Sequence, residues 1–110
     1  MGTFVNGDVV VLPFPFSDLS GSKKRPALII AALAGDDVVL CQITSEARTD
    51  EYSVVLIDPD FKAGRLQVES RIRPNRIFTA DKSIISYKIG SLKETKMKDV
   101  EQKLKLIFGL

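Results

Sequence analysis

Short apolar runs of strand period, each closed by a turn signal, fill the chain as far as residue 90 and restrict it to a β fold. Val9 to Phe14 reads as a first strand, with Pro13 and Pro15 confined to its end or edge because neither donates a backbone hydrogen bond. Ser17-Asp18-Leu19-Ser20-Gly21-Ser22 has the small, turn-forming residues of a loop. Pro26 to Leu33 makes a second strand, Ala34-Gly35-Asp36-Asp37 a tight turn, and Val38 to Thr44 a third, so these two strands form a hairpin. Ser53 to Ile57 is a fourth strand, ended by Asp58-Pro59-Asp60, and Ser70 to Thr79 and Ser86 to Ile89 are candidates for two more. Short strands with turns between them argue for a barrel rather than a layered α/β fold. Beyond Ser91 the period changes from two to 3.6. Met97, Val100, Leu104, Ile107 and Phe108 fall on one stripe of an amphipathic helix, and Ser91-Leu92-Lys93-Glu94 has the spacing of a capping box. The helix is expected to close the open end of the barrel.

A chain of 110 residues holds one core, so residues 1–110 are expected to be a single domain. No repeat or linker suggests otherwise. At 45% hydrophobic and 27% charged residues it has the balance of a soluble protein, and no apolar run approaches the roughly 18 residues of a membrane span. Residues 1–8 lack the basic and apolar regions of a secretory signal, which points to the cytoplasm. Cys41, the lone cysteine, sits in an apolar strand and reads as a buried thiol in a reducing compartment. Without histidine the usual zinc ligands are missing, and no carboxylate spacing suggests a metal or another cofactor.

The net charge of +2 hides an asymmetry. Residues 1–60 hold 4 Lys/Arg against 9 Asp/Glu, and residues 61–110 hold 12 against 5, giving −5 and +7. A polyanion would be drawn to the second part, where Lys62, Arg65, Arg71, Arg73, Arg76 and Lys82 are dense. The lysines from Lys93 to Lys105 read as a solvated helix face.

Four blocks occur in order at close spacing: Gly7-Asp8-Val9-Val10-Val11, Pro13-Phe14-Pro15-Phe16, Lys23-Lys24-Arg25-Pro26-Ala27 and Gln42-Ile43-Thr44-Ser45. That ordered set resembles the MazF/PemK toxin family, and weaker agreement continues through Ser70-Arg71-Ile72-Arg73, Ile77 to Lys82 and Lys88-Ile89-Gly90-Ser91-Leu92. The resemblance implies a mainly β fold, an SH3-like barrel of MazF/CcdB type with a C-terminal helix. It also implies a ribosome-independent, sequence-selective endoribonuclease, the toxin of a type II toxin-antitoxin pair. Such an enzyme cleaves single-stranded mRNA as a homodimer, needs no cofactor or membrane, and is inhibited by a small acidic antitoxin with which it binds DNA.

RNA can be cleaved without metal if its own 2′-hydroxyl attacks the adjacent phosphorus, leaving a 2′,3′-cyclic phosphate. The resemblance assigns the central catalytic pair to Arg25 and Thr44. Arg25 would neutralise the phosphorane charge, and Thr44 would hold a non-bridging oxygen. Phe16, Ser22, Lys23, Lys24, Ser45, Arg73, Asn75 and Arg76 are the expected RNA contacts. The plain alternatives are a solvated cation before a proline for Arg25 and a strand-forming residue for Thr44. The 34–37 hairpin turn nevertheless brings both back to the same end of the sheet. Unbroken alternation over 70–79 would put Arg71, Arg73 and Asn75 on one face, and Ile72, Pro74, Arg76 and Phe78 on the other. Some relatives have a carboxylate where this chain has Asn75, and an amide cannot accept the proton, so the general base is left open. Phe14 and Phe16 suit either base stacking or core packing. Two other functions remain at this point: a gyrase-directed toxin of the CcdB type, and a non-catalytic SH3-like RNA-binding domain.

Overall fold

The strand-forming runs assemble into one antiparallel sheet of seven strands. A computed structural model describes residues 3–14, 23–47 and 50–110. The strands are β1 (Asp8–Phe14), β2 (Lys23–Ala32), β3 (Asp37–Thr44), β4 (Val54–Leu56), β5 (Phe61–Gly64), β6 (Ser70–Asp81) and β7 (Tyr87–Leu92), followed by helix α1 (Glu94–Phe108). Their order is β4-β6-β3-β2-β1-β7-β5, a curled sheet in which every neighbouring pair is antiparallel. The expected loop at 17–22 lies outside the described residues.

Alternation along the strands sends successive side chains into two cores. Val9, Leu28, Cys41, Ile43, Ile72, Leu92 and Val100 belong to the first, and Val10, Leu12, Phe14, Ala27, Ile29 and Leu40 to the second. Phe14 is buried edge-on against Phe78, with ring centroids 5.1 Å apart, so it is a packing residue rather than a base platform.

The expected β2–β3 hairpin forms, pairing Ala27 with Gln42, Leu28 with Cys41 and Ile29 with Leu40. The unbroken alternation over 70–79 does not. Cys41 pairs with Ile77 but Gln42 pairs with Arg73, so Pro74, Asn75 and Arg76 bulge from β6. Pro74 lacks the donor a ladder needs, and a bulge removes that requirement. As a result Ile72 lies in the first core while Phe78 packs on the second, although strict alternation would give them one face.

Strand β5 was not expected from the sequence. It pairs with β7, and the backbones cross so closely at Gly64 and Gly90 that a Cβ on either would overlap the partner strand. Gly64 also has φ +73°, a conformation that glycine adopts without the steric cost of a side chain.

The helix also departs from expectation at its start. Ser91 remains in β7, buried and opposite Asp8, and Lys93 is the N-cap without a side-chain capping bond. Sheet pairing has taken the serine that a capping box would use. The apolar stripe is otherwise as expected: Val100 is buried, Met97 and Leu104 pack on the first core, and only Phe108 in the last turn is largely exposed. Gly109, left-handed at φ 71°, caps the helix C-terminus. Lys96 Nζ reaches the Val55 carbonyl at 2.9 Å and the Asp60 carboxylate at 3.4 Å, and Lys103 Nζ donates to the Glu51 carbonyl. The first of these contacts ties α1 to edge strand β4, and the other two tie it to the segments on either side of that strand.

Candidate active site

Arg25 is exposed on β2 just before its buried run, and Thr44 ends β3. The β2–β3 ladder reaches Ala27 and Gln42, so Arg25 and Thr44 lie just beyond its last pair, at the same end of the hairpin. Both line one cleft of about 730 Å³. Lys23, Lys24 and Ser45 line it with them, so five of the ten expected site residues come together. Lys23, Lys24 and Arg25 are exposed. Among the described residues none forms an ion pair with these three cations, which leaves them to an incoming anion.

The hydroxyl of Thr44 is fixed by its own chain. Its Oγ1 accepts a hydrogen bond from the Glu46 backbone N–H at 3.1 Å. The hydroxyl proton is then directed elsewhere, and a phosphate oxygen is a suitable acceptor.

The remaining expected residues are placed differently. Arg73 is buried on β6 at 9% exposure. Asn75 and Arg76 are exposed on the bulge, and none of these three lines the cleft. Arg73 bears instead on the turn before β4. Hydrogen bonds from the Ser53 and Tyr52 amides hold the Asp50 carboxyl below its usual value, and the charge of Arg73 adds to that effect. Arg71, which pairs with Thr44 across β3 and β6, has its guanidinium on Glu69 at 2.9 Å. Phe16 and Ser22 lie outside the described residues.

The cleft also contains residues that sequence reasoning missed. Arg65, Leu66 and Gln67 come from the segment after β5, Tyr87 from β7, and Glu46 from just beyond β3. Tyr87 is 56% exposed and stands opposite Val11, at the floor of the cleft. The one available signal was adjacency, since Glu46 is two residues from Thr44. The others depend on a strand whose pattern is too short to read. Four cations and one carboxylate line the cleft, an arrangement suited to a phosphodiester. Cys41 is far from any such chemistry: burial pushes its thiol up to about 12, which keeps it protonated and inert.

The geometry defines a small curled β sheet with a cationic cleft at one end, closed by a terminal helix. Residues 6–108 match the model of the PemK-like, MazF-like toxin of type II toxin-antitoxin systems, and the chain belongs to that family. No curated protein matches it in sequence. Solved structures share the fold. An endoribonuclease in complex with its cognate antitoxin, from a mycobacterial species, has a TM-score of 0.80 at 19% identity, covering 98% of this chain and 97% of that one. A MazE–MazF complex from Deinococcus radiodurans has a TM-score of 0.79 at 20% identity over 100% and 99% of the two chains. MazF alone from the same organism has 0.75 at 18% identity, over 100% and 99%.

Proposed function

We propose that this chain is a ribosome-independent, sequence-selective endoribonuclease that cleaves single-stranded mRNA through the RNA's own 2′-hydroxyl, without a metal. The observation that carries this reading is the meeting of Arg25 and Thr44, from opposite strands, in a cleft whose cations Lys23 and Lys24 have no ion-pair partner among the described residues. Endoribonuclease is also the stated activity of the mycobacterial relative with this fold.

In this reading Lys23 and Lys24 draw in the backbone and Ser45 hydrogen-bonds it. Thr44 donates to a non-bridging oxygen of the scissile phosphate. The Arg25 guanidinium, planar and permanently charged, neutralises the charge that builds on phosphorus as the 2′-oxygen attacks. Arg76 and Asn75 would meet the strand only outside the cleft.

A second element of the proposal is a homodimer in the cytoplasm, inhibited when an acidic antitoxin tail lies across Lys23, Lys24 and Arg25; its antitoxin part is supported by the similar structures solved in complex with antitoxin. The test is cleavage of single-stranded RNA in excess EDTA by protein that sediments as a dimer. Fragments ending in 2′,3′-cyclic phosphate are expected. Strict dependence on added magnesium or manganese would contradict the mechanism.

A further inference from the structure

Cleavage by the 2′-hydroxyl requires a group that removes its proton beside the phosphate anchor. Asn75 is an amide on the β6 bulge and does not line the cleft, so the position that carries a carboxylate in some relatives supplies no base here. The cleft's other polar side chains include the hydroxyls of Thr44, Ser45, Ser70 and Tyr87 and the cations of Lys23, Lys24, Arg25 and Arg65, none of which accepts a proton as a carboxylate does. Glu46 is the one carboxylate among the described residues that line it.

Its position is also fixed relative to the phosphate anchor. The Glu46 N–H donates to Thr44 Oγ1 at 3.1 Å, so one short turn links the hydroxyl that grips the phosphate to the backbone that carries the carboxylate. In RNA the attacking 2′-hydroxyl neighbours the scissile phosphate, and the base has to sit next to whatever holds that phosphate. We infer that Glu46 is the general base of the reaction, an assignment that rests on the endoribonuclease reading of the same cleft.

The step balances as follows. The Glu46 carboxylate takes the 2′-hydroxyl proton, the 2′-oxygen forms a bond to phosphorus, and the bond from phosphorus to the 5′-oxygen breaks. The departing oxygen takes a proton from cleft water, and Glu46 then returns its proton to solvent. The other ionisable groups facing the cleft are Lys23, Lys24 and Arg25 on β2, Arg65 after β5 and Tyr87 on β7. None of these is a carboxylate, so an acid limb in the pH–rate profile that vanishes when Glu46 is replaced belongs to Glu46.

Single-turnover cleavage of a defined single-stranded RNA, measured from acid to neutral pH, tests the assignment. Glu46→Gln keeps the backbone bond to Thr44 and the side-chain shape. It should slow cleavage by about 10² to 10⁴-fold and flatten the acid limb, while binding of a 2′-deoxy, uncleavable version of the strand is retained. Glu46→Asp should keep an acid limb at reduced rate. A Glu46→Gln protein with wild-type rate and pH profile would overturn the assignment while leaving the endoribonuclease reading intact. Failure of the wild-type protein to cleave RNA would overturn both.

Discussion

Asp8 and Arg25 show how burial separates a charge held by its own fold from one open to solvent. Asp8 is 1% exposed, and a carboxylate so buried has to be compensated. It accepts from the Val5 N–H at 3.0 Å and pairs with Lys88 at 3.3 Å, bonds that hold the start of β1 and β7 together. Lys88→Met would leave this carboxylate with the amide alone. Loss of about 1 to 3 kcal/mol is expected, toward the low end because Lys88 is half-exposed, and it would appear as a lower urea midpoint with unchanged slope. A wild-type midpoint would show that the pair contributes nothing. Arg25 is the opposite case, exposed and without such a partner among the described residues. From its own residues it reads as a solvated cation before a proline, and the family resemblance marks it out as catalytic; the fold brings it into one cleft with Thr44. Glu46 was legible only as a near neighbour of Thr44, because an exposed carboxylate beyond a strand end has no pattern of its own and acquires meaning only from the cleft around it.

At the scale of elements, the crossing of β5 and β7 is the tightest feature. Gly64→Ala would force a side chain into φ +73° and against the Ile89 carbonyl. The left-handed backbone alone costs roughly 1 to 2 kcal/mol, and the overlap adds to it, so a clear drop in melting temperature is expected. No drop would mean that the two strands part easily. This crossing also explains what was hard to read. Phe61-Lys62-Ala63-Gly64 has neither alternation nor β-branched residues, and it is a strand only because β7 lies beside it. The longer strands were legible because they alternate between two cores, as Val9 and Val10 do. The β6 bulge and the fate of Ser91 were not, since both depend on register with a neighbouring strand. Pro74 marks the place where the ladder fails, but nothing local gives the number of residues that leave it.

At the scale of the whole molecule, the charge asymmetry of the sequence is reorganised by the fold. The basic second part supplies only Arg65 to the cleft, while Arg73 is buried and the helix lysines Lys96 and Lys103 bind carbonyls near β4. The other three cations of the cleft come from Lys23-Lys24-Arg25, in the acidic first part. Helix and sheet form the scaffold, and the cleft is where strand ends from β2 and β3 meet the segments after β5 and before β7. The central claim is that this cleft acts on the transition state of RNA cleavage rather than merely holding RNA. Single-turnover cleavage and equilibrium binding of the same RNA by Arg25→Ala separate the two roles. The account predicts a rate lower by about 10² to 10³-fold, with affinity reduced only as the loss of one phosphate contact requires. An unchanged rate, or a rate that falls only in step with affinity, would contradict it.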